Sequence, residues 1–175
     1  MSGDARHVAL TGSYAYVADR YGGLQAIKVQ DPAHPESPGF HDTPGYAEGV
    51  ALSGTYAYVA DAESGLRVID GSDPARPVER GFYDTPGYAY SVALSGGYAY
   101  VADGASGLRI VDVSDPAHPV PLGFYDTPGT ARDVALSGGY AYVADGEGGL
   151  LVLRLTGAIG GPRALYLPLM LKGHR

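Results

Sequence analysis

Aspartate is the residue whose spacing in this sequence first suggests chemistry. Twelve of the fourteen Asp residues recur at a period of 42: Asp19, Asp61, Asp103 and Asp145; Asp31, Asp73 and Asp115; Asp42, Asp84 and Asp126; and the pair Asp70 and Asp112. A calcium loop draws on carboxylates, but it needs several oxygens converging from one short segment. Here each Asp stands alone. The first set runs into a glycine-rich turn, the second precedes Pro, and the third precedes Thr-Pro-Gly. Single carboxylates in such places accept backbone N–H bonds as Asx-turns. These three sets therefore read as structural turn residues rather than metal ligands.

The histidines point the same way. His34 and His118 are equivalent positions two repeats apart with Arg76 between them, His41 is matched by Tyr83 and Tyr125, and His174 lies near the C-terminus. No H-x-x-x-H motif and no spaced carboxylate partner is read, so neither a metal nor a cofactor is expected. The tyrosine pairs 14/16, 56/58, 98/100 and 140/142 suggest a stacking platform for sugars. Identical aromatics in every repeat are better explained by packing between repeats, with hydroxyls reaching turns.

More informative are the places where the copies disagree. Ahead of each V-A-L they read Ala5-Arg6-His7, Ala47-Glu48-Gly49, Ala89-Tyr90-Ser91 and Ala131-Arg132-Asp133. The turn after each Y-A-Y-V-A-D diverges too, as Arg20-Tyr21, Ala62-Glu63, Gly104-Ala105 and Gly146-Glu147. Glu48, Asp133 and His7 are the types an acid, a base and an orienting group would need. No nucleophile motif accompanies them, so no catalytic residue is assigned and the chain reads as a non-enzyme.

The chain has 175 residues with 27 Gly, 15 Tyr, no Trp and no Cys, and a net charge of -7. The missing cysteines exclude disulfides and thiol chemistry. The acidity follows from the repeated turn residues, and without a basic stripe no nucleic-acid partner is expected. No segment approaches the roughly 18 apolar residues of a membrane helix, so no membrane insertion is expected. The opening MSGDARHVALTG has no basic region followed by an apolar run, and no signal peptide is read in this sequence.

These residues are carried by an internal repeat. Val8, Val50, Val92 and Val134 each open V-A-L-[ST]-G, and residues 50–91 and 92–133 agree at 30 of 42 positions. A period near 42 suits a four-stranded propeller blade. In the third copy the expected strands are V-A-L, ending at Ser95-Gly96-Gly97; Tyr98 to Asp103; Gly107 to Val113; and Leu122 to Asp126. The proline-rich Ser114 to Pro119 must be a loop. Along Tyr98 to Asp103 the tyrosines share one face, and Ala99 and Val101 take the other. No apolar period of 3.6 is present, so helices are not expected.

The runs G-L-R-I-V-D-V-S-D-P-A-H-P, G-F-Y-D-T-P-G and V-A-L-S-G-G-Y-A-Y-V-A-D resemble the LVIVD repeat family, itself similar to YVTN-type propeller repeats. The resemblance covers roughly Val8 to Leu155. It implies a β-propeller, usually in exported or cell-surface bacterial proteins, with no general enzymatic activity. In such a propeller the strand after T-P-G is innermost. The candidate binding rim is then Arg6, His7, Glu48, Tyr90, Ser91, Arg132 and Asp133 at the channel mouth, beside the second divergent set.

The expected fold is an all-β propeller of four 42-residue blades, a closed ring being preferred to an open or partial one. The blades occupy about 8–49, 50–91, 92–133 and 134–155 within a repeat region 1–155. A tail, 156–175, follows, in which residues 163–172 are offered as the outer strand of the last blade. Lys28 and Arg154 replace Asp70 and Asp112 and count against closure. The expected function is an extracellular or cell-surface binding or scaffold module for a protein or glycan. The alternatives are a spacer or part of a larger array that self-associates if open, and a small hydrolase or lyase at the mouth.

Overall fold

A computed structural model describes residues 3–155 and 168–170, the last three by backbone alone. The repeat becomes four antiparallel sheets in chain order. The first holds His7–Thr11, Tyr14–Ala18, Leu24–Lys28 and Glu36–His41 (β1 to β4). The second holds Gly49–Ser53, Tyr56–Ala60, Leu66–Asp70 and Val78–Tyr83 (β5 to β8). The third holds Ser91–Ser95, Tyr98–Ala102, Leu108–Asp112 and Val120–Tyr125 (β9 to β12). The fourth copy contributes three repeat strands, Asp133–Ser137, Tyr140–Ala144 and Leu150–Arg154 (β13 to β15). Beside β15 the three residues Pro168–Met170 (β16) run antiparallel. The rest of the 163–172 stretch, and His174, lie outside the described residues. Among the described residues the one helical element is a 3-10 turn at Gly146–Gly148.

From β1 to β15 each sheet is a meander, because every link within it is either a two-residue hairpin or a turn too short for a crossover. The first hairpin comes in two forms. In the third and fourth copies Gly96-Gly97 and Gly138-Gly139 both have positive φ, as a type I′ turn requires. In the first two copies only Gly12 and Gly54 do, leaving Ser13 and Thr55 outside the left-handed region. The fourth strand starts earlier than the sequence suggests. Val120 and Pro121 are already paired with β11, and the register slips between Ile110 and Val111. Proline is admitted because this is the edge strand, and the slip is where an edge tolerates a bulge.

The sheets stack face to face. The tyrosine face of one packs on the Ala/Val face of the next, large side chains on small ones. Tyr58, Ala60, Leu66 and Val68 of the second sheet meet Val92, Ala99, Val101 and Val111 of the third. The same arrangement joins the first sheet to the second and the third to the fourth. Each Leu or Val sealed in this way contributes roughly 1.5–3 kcal/mol. Tyr16 spans its junction with a hydrogen bond from its hydroxyl to the Gly71 carbonyl, 3.0 Å. First strands lie against first strands, β1 on β5, β5 on β9 and β9 on β13, so they line the inner side of the stack.

Closure of the ring is not shown by the described residues. Val8 is 55% exposed and Leu10 72%, whereas Val50 is 1% exposed. At the other end Leu150 is 52% exposed, whereas Leu24, Leu66 and Leu108 are fully buried. The preference rested on repeat count, which says nothing about the angle between neighbouring sheets.

Candidate functional site

The two divergent sets are stitched together by backbone at one end of the stack. Arg20 exchanges both backbone hydrogen bonds with Ala47, at 3.0 and 3.1 Å. Ala62 does so with Ala89, and Gly104 with Ala131. The central alanines 47, 89 and 131 are fully buried, which anchors the variable residues on either side of each. The turn of each copy therefore borders the entry segment of the next, and the variable side chains share one rim.

The turn geometry has a cost. Its second residue has positive φ in every copy, and two of the four are not glycine: Arg20 at 40° and Ala62 at 52°. L-residues adopt this conformation reluctantly. Arg20 is held there with its guanidinium directed into the rim.

Glu48 is the hub. Arg6 Nε lies 3.6 Å and Arg20 Nε 3.5 Å from its carboxylate, and the Tyr88 hydroxyl donates to it at 3.2 Å. Asp4 pairs with both arginines, at 3.1 and 3.0 Å. The hydrogen bond that Arg20 donates to Asp4 holds its guanidinium firmly charged. Burial and the neighbouring Glu48 charge push the Tyr88 phenol up to about 12. The network joins the first three copies across their junctions.

Aromatic rings surround the hub. Tyr21 and Tyr46 meet edge to face at 4.9 Å, and the Arg20 guanidinium lies 5.1 and 5.4 Å from their centroids. Tyr88 and Tyr90 lie 4.5 Å apart, and Arg132 lies over Tyr90 at 5.2 Å. Beyond them the Ser91 hydroxyl donates to Asp133 at 2.6 Å, and Asp133 also accepts the Val134 N–H. His7 Nδ1 accepts the Val50 N–H at 3.4 Å.

All seven rim residues named from sequence thus lie at this end, in three linked groups: Arg6 with Glu48, Tyr90 with Arg132, and Ser91 with Asp133, while His7 caps the entry to β5. Asp4, Tyr46 and Tyr88 were missed. They share one repeat column with Thr130, immediately ahead of the invariant alanine, and its divergence is the signal that would have found them.

The repeated aspartates divide into three structural roles. Asp31, Asp73 and Asp115 accept the N–H two residues on, as Asx-turns do. Asp31 and Asp115 also take the rings of His34 and His118, at 2.9 and 2.8 Å, a carboxylate partnership the sequence reading had not found. That contact, and the backbone bond, hold both carboxyls below their usual range.

The backbones of Asp61 and Asp103 bond within their own turns, but their carboxylates do not. Each reaches back to the preceding Thr-Pro-Gly, Asp61 to the Thr43 hydroxyl and Gly45 N–H, and Asp103 to Thr85 and Gly87. Burial pushes both carboxyls up, against the opposing pull of these bonds. Asp145 keeps the bond to Gly129, while its Oδ1, Thr127 Oγ1 and Asp19 Oδ1 are buried without a partner among the described residues. Asp84 and Asp126 instead face Arg67 and Arg109, at 2.7 and 3.6 Å. Asp42 has Gln25 where these two have arginine. Among the described residues no three His, Asp or Glu side chains converge to hold a metal ion.

The LVIVD repeat pattern matches residues 2–43, 44–85, 86–127 and 128–153, with its unit boundaries falling at the Thr-Pro-Gly turns. No curated protein matches the chain. Among solved structures, the computationally designed Ika8 protein is similar, with a TM-score of 0.69 at 8% identity over 94% of this chain and 48% of that one. The computationally designed Ika4 protein has a TM-score of 0.66 at 10% identity, over 87% and 91%. The chain spans about half the length of Ika8. These likenesses place the fold among propeller-like stacks.

Proposed function

Since the chain belongs to the LVIVD repeat family, whose repeat is here a scaffold of near-identical sheets, we propose that it is a non-enzymatic recognition module. Its ligand is a protein or glycan at the bacterial cell surface, and it binds through the rim of Arg6, Glu48, Tyr90, Arg132 and their neighbours. The observation that supports this most is the convergence of the variable columns. Copies also differ on the outer strand and its loop, as at His34/Arg76/His118 and 36–38/78–80/120–122, but only at the rim do the varying columns lie side by side with their side chains interlocked. Tyrosine and arginine are the residues most often found at binding hot spots. The acid–base candidates have other partners: Glu48 is neutralised by two arginines, Asp133 is occupied by Ser91, and His7 serves a backbone N–H.

The test is binding of the purified chain to bacterial cells and to a glycan array, beside a variant carrying Tyr90→Ala and Arg132→Ala. Truncated hot spots cost on the order of 2 kcal/mol each, so binding should fall by more than tenfold with an unchanged melting temperature. Equal binding by the two proteins removes the rim from the account. Turnover of a hydrolase or lyase substrate that Glu48→Gln abolishes would replace this reading with the enzymatic one.

A further inference from the structure

The outer faces of the first and fourth sheets expose Val8, Leu10, Leu150 and Tyr142 while Ala15 and Val152 on the same faces are buried, and they are the two halves of a junction the chain already makes three times. On the first sheet the outward face carries Val8, Leu10, Ala15, Val17 and Ile27. Each is the same residue type as its counterpart 42 positions later, in the second sheet, where that face packs on the first sheet. On the fourth sheet the outward face carries Tyr142, Ala144, Leu150 and Val152. Each matches the residue 84 positions earlier, in the second sheet, where that face packs on the third. Arg154, where the second and third copies have Asp70 and Asp112, borders the fourth-sheet set.

Backbone partners are left over in the same pattern. Every internal junction pairs the turn after the second strand with the alanine ahead of the next sheet. Among the described residues the remaining turn residue is Gly146, already at φ 55°, and the remaining alanine is Ala5. They lie at opposite ends of the chain.

We propose that the occupant of each end is a second copy of this chain, bound head to tail, so that two copies close one ring of eight sheets through two identical seams. A head-to-tail contact either closes a ring or propagates as a filament. The chain follows just under half of the Ika8 chain and nearly all of the Ika4 chain, so sedimentation decides how many copies a closed ring takes. Each seam would bury Leu150 and Tyr142 of one copy against Val8 and Leu10 of the other, and join Gly146 to Ala5.

The experiment is sedimentation velocity of the full chain across micromolar concentrations, with Leu10→Asp, Leu150→Asp and Val78→Asp. All three side chains are at least 49% exposed, so each variant should fold, and its melt serves as the control. The expected species is twice the 18.1 kDa mass of one chain. Leu10→Asp and Leu150→Asp should each weaken association by at least tenfold, and Val78→Asp, on an outer strand, should leave it intact. A monomer at every concentration overturns the proposal, as do dimers that survive both end-face substitutions. A ladder of higher oligomers overturns the two-copy ring.

Discussion

The Asp61 carboxylate accepts a hydrogen bond of 2.6 Å from the Thr43 hydroxyl, eighteen residues upstream and on the far side of the turn between two sheets. A second bond, from the Gly45 N–H, completes a clamp on Thr-Pro-Gly. Asp103 repeats it on Thr85 and Gly87. Both carboxylates are fully buried, so the clamp fixes how one sheet hands the chain to the next.

Replacing Asp103 by Asn should therefore destabilise the protein by about 1–3 kcal/mol, since a buried partner is lost or misaligned. The size should depend on pH. Burial raises the folded-state pKa of Asp103 above its unfolded value, so the neutral form is favoured in the folded protein. Its contribution is then largest below the unfolded pKa, and it declines as pH rises through the folded pKa. Denaturant unfolding of wild type and Asp103→Asn should give a gap that widens as pH falls from neutrality toward about 4. A gap that narrows on acidification would mean the carboxylate is stabilised as an anion.

The architecture was legible because its causes are local and recur. V-A-L followed by Gly, and Y-A-Y-V-A-D followed by a glycine turn, name strands and hairpins by themselves, and the alternation of Tyr with Ala and Val names the two faces. Thr43 and Asp61 were both visible as conserved columns of the repeat, but nothing in their spacing says they meet. The rim was legible as divergence among copies, whereas Glu48 as its hub was not, because its partners come from two other sheets. Ring closure depends on a few degrees of inclination at each junction, summed along the stack, and no residue type encodes that.

Glycine substitutions separate two kinds of turn. Gly96, in the first hairpin of the third sheet, has φ 59°, and a Cβ there would meet only the Tyr98 ring at an ordinary 3.9 Å, so Gly96→Val should cost a little over ~1 kcal/mol, from backbone strain. Gly107 has φ 76°, and a Cβ there would strike the Tyr125 carbonyl as well as the Thr127 N–H. Gly107→Ala should therefore be the more damaging, despite being the smaller change. The comparison is a pair of denaturant midpoints, and the reverse order would discard the close approach of β11 to the Thr-Pro-Gly turn.

Tyr16 isolates what one hydrogen bond adds to a junction. Its ring is 4% exposed, and its hydroxyl reaches the Gly71 carbonyl of the second sheet. Tyr16→Phe should cost about 1 kcal/mol, and Tyr16→Ala about 3–5 kcal/mol as the large-on-small packing collapses. Thermal melts of the two variants give the split. If Tyr16→Phe loses as much as Tyr16→Ala, the junction depends on the hydroxyl rather than on packing.

Arg20 offers the sharpest separation of scaffold from surface. Its backbone sits at φ 40°, where glycine is the comfortable residue and where the third and fourth copies have Gly104 and Gly146. Arg20→Gly relieves that strain, roughly 1–2 kcal/mol for an L-residue, less roughly 0.4–1 kcal/mol for the added freedom of the unfolded chain. It also removes partly exposed ion pairs to Asp4 and Glu48, each worth about 0–1 kcal/mol. The two effects oppose each other, so stability should stay within ~1 kcal/mol of wild type. The rim, however, loses the cation lying against both Tyr21 and Tyr46, and ligand binding should weaken by more than tenfold. Unfolding curves and a binding isotherm on the same variant decide the matter. Marked destabilisation would make Arg20 a structural residue, and unchanged binding would leave its strained backbone without a functional reason.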